Sequence, residues 1–349
     1  MRTRKQTRAE ENGENGEVHA PTVVTITKIE GPTVSLSKRD GARPSSVSSK
    51  LPKLIQFPLI ALLSLSLTTL GYSLSWSYTK APVAPYARIL STWSDFGIVM
   101  GWRVFELALG WFGNYDGYDI TALNLLSHGP LLYLLFAFYE VPPSALLLSI
   151  TIETLATYIP FRLLRPLSTA HADPAHVPNA DIVTDRPITL LTTLLAGAIY
   201  SVTLFFAYAT YLPSYLVVHF TRLPSIASAH QATYVGLLPV TLVLGFAARA
   251  FIFTPAEAAA DARKKKEYFD PVSASLRETL RWNAWGWSEQ TKVAIQRTAL
   301  LMLLTGVDTF LQARFTLEGV ETPGAAAWSS VWVLAAAVTG LALGAVGSG

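Results

Sequence analysis

Four ionisable residues carry most of the chemistry this sequence offers. Arg103, Glu106, His128 and Glu153 each fall near the middle of a long apolar stretch. A charged side chain at the centre of a bilayer costs at least about 2–3 kcal/mol, so such residues face a bundle interior and find partners. Arg103 and Glu106 are three residues apart in DFGIVMGWRVFELALGWFG, which places both on one helical face. They form either a site for an ion, a proton or a headgroup, or a self-neutralising pair that holds helices together. His128 begins His128-Gly129-Pro130, where the proline removes a backbone donor and predicts a kink. His128 could relay protons or bind a ligand, or simply hydrogen-bond a neighbouring helix. Glu153, flanked by Thr151, Thr154 and Thr157, is a carboxylate that should be protonated or paired. Matching depth and short connections predict that Arg103 pairs with Glu106 and that Glu153 lies within reach of His128.

The elements that position these groups are membrane spans. Apolar residues make up 51% of the 349 and charged residues 15%, against about 25% charged in a soluble domain. Mean hydropathy is +0.35 even with a polar N-terminal region included. A span needs about 20 apolar residues to cross a hydrocarbon core of about 30 Å. Eight stretches qualify, at about 54–74, 96–112, 120–139, 144–163, 188–212, 234–253, 293–311 and 325–346. The fifth runs on towards Phe220, so Pro213 is expected to end it and an interfacial helix to follow. The expected fold is all-α, a polytopic transmembrane helix bundle of about eight spans. Residues 1–53 read as a disordered cytosolic tail, with Asn12-Gly13, Asn15-Gly16 and a serine cluster at 45–49. That tail has no apolar core of the kind a secretory signal needs.

Basic residues set the orientation, because Lys and Arg accumulate on the cytosolic side. With eight spans and a cytosolic tail, that side holds fifteen. They are Lys38, Arg39, Arg43, Lys50, Lys53, Arg162, Arg165, Arg186, Arg263, Lys264, Lys265, Lys266, Arg277, Arg281 and Lys292. The opposite side holds four: Lys80, Arg88, Arg222 and Arg314. Both termini and the loop 254–292 are therefore expected in the cytosol. The connection from Gly113 to Asp119 is the awkward one, cytosolic by this scheme yet carrying Asp116 and Asp119 without a base.

The long loop supplies a second candidate surface. Arg263, Lys264, Lys265 and Lys266 form a basic cluster that could attract anionic lipid, at about 1 kcal/mol per base. Trp282, Trp285 and Trp287 suit a segment lying in the headgroup region, and this could anchor the loop or dock a partner. In the eighth span Ala336, Gly340 and Gly344 recur every four residues, a spacing that permits close helix contact within the chain or in a homodimer. Asp308, Arg249 and Arg297 read as structural: Asp308 near the external interface, Arg249 snorkelling to the cytosolic end of its span, Arg297 one turn into the seventh.

Several chemistries are not supported. Cysteine is absent, which excludes disulfides and thiolate chemistry. There is no phosphate-binding glycine loop, nucleophile elbow or zinc-protease motif. Nothing points to nucleic acid or to a cofactor. His171, Asp173 and His176 share a loop, but no metal site is expected from them. No inverted repeat of the kind that builds transporters is visible.

Two stretches resemble uncharacterised multi-pass membrane proteins of filamentous fungi. One is ALNLLSHGPLLYLLFAFYEV with the later TYIPFRLLRPL; the other is WNAWGWSEQTKVAIQRT. The resemblance implies an integral membrane protein and supplies no catalytic residues. The resulting expectation is a non-enzymatic scaffold or organising component of an endomembrane, such as the endoplasmic reticulum or nuclear envelope. The alternative is a transporter or channel-like protein using the intramembrane polar cluster, and a lipid-modifying enzyme is a third reading.

Overall fold

Membrane-length helices dominate the described residues, which in this computed structural model are 52–176, 184–253, 275–277, 279–280 and 289–347. Eight helices of 20 residues or more occur among them: α1 Lys53–Leu74, α2 Trp93–Phe112, α3 Gly117–Phe138, α4 Pro143–Leu164, α5 Arg186–Ala209, α6 Tyr234–Phe253, α7 Glu289–Thr316 and α8 Thr322–Gly347. Seven are long and apolar enough to cross a membrane. The other is α2, whose 20 residues reach about 30 Å at 1.5 Å per residue but include Asp95, Arg103 and Glu106.

Local chemistry fixes the helix ends. Thr92 caps α2 by accepting the Asp95 amide at 3.2 Å. Asp116 caps α3 by accepting the amides of Tyr118 and Asp119 at 3.0 and 3.1 Å. Asp185 does the same for α5 through Ile188 at 3.0 Å. These are oxygens meeting the orphan donors of a first turn. Proline opens α4 at Pro143, where its missing N–H costs nothing. The same rule corrects one expectation: α5 ends at Ala209, and Pro213 lies in the first turn of the next helix, Leu212–His219.

Helix α3 lies at the centre and is the most buried, packing on α4, α6 and α7. Of the seven apolar helices, α1 is the least buried; it rests mainly on α4, where Gly71 lets Ile152 approach, and a Cβ there would lie 2.6 Å from it. Helices α5 and α6 cross closest, at Gly197 and Gly245: a Cβ on Gly245 would sit 2.7 Å from the Gly197 Cα.

Three connections meet at one end of the bundle. Ala87, between α1 and α2, forms an antiparallel bridge with Leu317, between α7 and α8. Phe220, between α5 and α6, forms another with Val320. Backbone bonds from Arg88 to Thr316 and from Glu318 to Tyr86, both 2.8 Å, secure the first, and Thr221 donates to Gly319 at 3.0 Å beside the second.

The tail, the basic cluster Arg263 to Lys266, and Trp282, Trp285 and Trp287 lie outside the described residues. In α8, Ala336 is fully buried and Gly340 packs against Thr298 of α7, while a Cβ on Gly344 would meet nothing within 4 Å. The first two members of that ladder therefore serve contacts within the chain.

Candidate functional site: a cavity with a charged floor

Arg103 projects from α2 into the space between α3 and α4. Its guanidinium donates to Glu106 at 3.3 Å and to Asn124 of α3 at 3.2 Å. It also donates to Glu153 at 3.3 Å and Thr157 at 2.8 Å, both on α4. One cation thus bridges two carboxylates from different helices, each about nine-tenths buried. The fork of a guanidinium suits this task in a way a lysine point charge does not.

His128 takes a different partner from the one expected. Its Nδ1 shares a hydrogen bond with the Asn124 carbonyl at 3.2 Å and lies 3.6 Å from the carboxylate of Asp308. Glu153 pairs with Arg103 instead. Asp308 also accepts from the indole of Trp102 at 3.1 Å and from Gln312. It is only 2% exposed. The sequence placed the seventh span at 293–311, but α7 continues to Thr316, which moves Asp308 inward by more than a turn.

These groups form the floor of a cavity of about 750 Å³. Its walls are mostly apolar, from Leu65, Val99, Leu131, Leu132, Leu135 and Leu146. Its mouth lies at the connections described above, beside Arg88, Arg222 and Glu318. Arg103 and Glu106 also bound a second, much smaller space of about 20 Å³ beside the floor, with Asn124, Ser127 and Thr157. That is room for one water. The Asn124 amide nitrogen, on a residue 5% exposed, has no partner among the described residues and would donate to such a water.

A second polar network occupies the opposite end of α3. Arg297 of α7 donates to both oxygens of Asp119, at 2.9 and 3.3 Å, and to the Phe251 carbonyl at 2.7 Å. Asp116 accepts from the Ser168 amide at 2.9 Å and from His171 at 2.6 Å in addition to capping α3. Burial alone would raise the Asp116 pKa, but the His171 bond and the backbone amides outweigh it and hold the carboxyl well below its usual range. Burial would lower His171, yet its bond to Asp116 and the carboxylate charges raise it. Arg165 completes this end by donating to the carbonyls of Trp111, Tyr115 and Gly110 at the close of α2, at 2.6, 3.1 and 3.4 Å.

Asp116, Asp119 and His171 place one ligand atom each within 4.8 Å of one another, a spacing a metal ion could use. Their acceptor sites are engaged by protein N–H groups, however, and Arg297 holds the position a cation would take. The sequence had grouped His171 with Asp173 and His176, neighbours in the chain. It had no means of linking His171 to Asp116. Arg249 also departs from expectation: it is 7% exposed and bonds Thr192 and Thr189 at 3.0 and 2.9 Å, so it does not snorkel to the interface.

Fold and cavity together define a class, an all-helical bundle of membrane-length apolar helices enclosing charged groups near the middle of those helices. Residues 185–346, from the start of α5 to the end of α8, match the family model described as Bouquet formation protein 3 C-terminal domain, a fungal family. No match was found among curated proteins or among solved structures. Of the cavity floor, Asp308 lies inside the matched region. Arg103, Glu106, His128 and Glu153 lie before it.

Proposed function

We propose that this chain is an eight-span protein of the nuclear envelope and the endoplasmic reticulum continuous with it, acting as a non-enzymatic scaffold. The observation that carries this reading is the match over 185–346, because the family is named for bouquet formation, an event of the nuclear envelope. The basic asymmetry supports cytosolic or nucleoplasmic termini. The paired loops support eight crossings over seven. If α2 did not cross, the α1–α2 connection would lie on the opposite side from the α7–α8 connection, and the bridge between Ala87 and Leu317 could not form. The acidic connection that had counted against this orientation is also accounted for, since Asp116 and Asp119 are bound by His171 and Arg297. On this reading the tail and the loop 254–292, with its basic cluster and tryptophans, offer contacts to anionic lipid and protein partners on the nucleoplasmic or cytosolic face.

The cavity favours a second reading, movement of a solute through the bundle. Two measurements separate them. Crosslinked purification should recover a partner in stoichiometric yield, and a tagged chain should outline the nuclear rim. Substrate-dependent flux in proteoliposomes, or confinement of the chain to another membrane, would overturn the scaffold reading.

A further inference from the structure

The cavity floor carries more carboxyl groups than guanidiniums. Glu106, Glu153 and Asp308 are three carboxylates, and Arg103 is the one guanidinium beside them. The arginines at the mouth do not redress this, because each already has a partner: Arg88 lies 3.5 Å from Asp95, and Arg222 lies 3.0 Å from Glu318. The mouth is thus charge-paired and the floor is acidic.

One further cation does enter this space, and it belongs to the chain. Lys80, in the connection after α1, extends into the cavity with its ammonium 3.6 Å from the centre of the Tyr72 ring. Burial lowers the Lys80 pKa, and the charge of Glu153 works against that lowering. An ammonium on a four-carbon stem therefore already rests on an aromatic face, within the influence of a floor carboxylate, between apolar walls. Ring faces attract such cations, more strongly when desolvated. The volume, about 750 Å³, falls within the range of about 300–1,000 Å³ found for small-molecule sites. Two unpartnered polar atoms complete the picture: Thr68 Oγ1 on the wall and the Asn124 amide behind the floor.

We propose that the cavity is a binding site for a monovalent alkylammonium, a primary amine on an apolar body, whose charged end is held by Glu153 over the Tyr72 ring, in the place that Lys80 otherwise takes. Lys80 is then a tethered competitor. The apolar body lies along Leu131, Leu132 and Leu135, and the mouth admits it from the side of the α1–α2 and α7–α8 connections. The inference concerns binding and does not depend on whether the amine crosses the membrane or on the scaffold reading.

The test uses the full chain in nanodiscs at neutral pH with three probes of equal length: n-octylamine, n-octanol and octanoate. Trp76 and Trp102 line the cavity, so their fluorescence reports occupancy. Octylamine should give a saturable change that octanol and octanoate do not. Glu153→Gln should weaken it by at least about tenfold, as expected for loss of a charged acceptor. Lys80→Gln should tighten it, a gain that misfolding cannot mimic. Octanoate binding as well as octylamine would overturn the proposal. So would a response to octylamine that is the same in the wild type, Glu153→Gln and Lys80→Gln, because partition into lipid would then explain it.

Discussion

The two ends of α3 hold charged networks of similar composition and opposite character. Near its start, Asp116, Asp119 and Arg297 are buried and His171 is partly so: Arg297 has both oxygens of Asp119 and the Phe251 carbonyl, and lies 4.8 Å from the Phe251 ring centre. Around its middle, Arg103 serves Glu106 and Glu153 while the same groups line a cavity of about 750 Å³. The first network ties α3, α6, α7 and the loop after α4 into one unit. The second leaves acidic groups facing open volume. Burial of charge is thus not itself the mark of a functional site; what distinguishes the two is whether anything can reach them.

If that distinction holds, the largest loss should come from the closed network. Arg297→Ala strands Asp119 at 2% exposure and should cost roughly 3–5 kcal/mol, read as a lower Tm and poor monodisperse yield. Adding Asp119→Asn should restore part of it. Arg103→Ala also leaves carboxylates without their cation, but these can be hydrated through the cavity. Its cost should be smaller, about 1–3 kcal/mol, and a loss equal to that of Arg297→Ala would erase the contrast.

The pair of His171 and Asp116 should give a smaller effect with a definite pH dependence. The raised His171 pKa contributes stability that is complete below the unfolded histidine value, about 6.5, and is lost as pH rises through the folded value. The lowered Asp116 pKa contributes stability present above the unfolded carboxylate value and lost as pH falls through the depressed one. The pair is therefore strongest in mildly acidic solution. The difference in unfolding free energy between wild type and His171→Gln should be greatest near pH 5–6 and shrink towards pH 9, with a maximum of about 1–2 kcal/mol. A difference that grows with pH would contradict the assignment. Least of all should Glu153→Gln matter for stability: the amide keeps a hydrogen-bonding oxygen for Arg103, so the change should stay within about 1 kcal/mol, even as amine binding falls.

The sequence reveals depth better than it reveals facing. Hydropathy and proline placement locate all eight long helices, and α6 falls at Tyr234–Phe253 as read. The pairing of Arg103 with Glu106 follows from helical spacing within one segment. The bond of Arg297 to Asp119, 178 residues apart, depends on how α3 and α7 are rotated, and no periodicity in a uniformly apolar helix reports that. The end of α7 was misplaced for a related reason: the polar residues Gln312, Arg314 and Thr316 ended the apolar stretch early, although the helix continued through them. His128 could be placed at the right depth but not matched to its carboxylate, because depth offers both Glu153 and Asp308.

The central claim is that the charged floor is open to water on the side of the α1–α2 connection, while the far side of Arg103, at Ser127, is buried. The chain has no cysteine, so single substitutions can be labelled without background. Val99 lines the open cavity and is partly exposed, whereas Ser127 lines the small space and is 2% exposed, with Arg103 and Glu106 bounding both. A small cationic methanethiosulfonate applied to the full chain should modify Val99→Cys rapidly and leave Ser127→Cys unmodified. In sealed microsomes the Val99→Cys reaction should require access to the lumen. Labelling of Ser127→Cys at the same rate, or of Val99→Cys from the cytosolic face, would contradict the account.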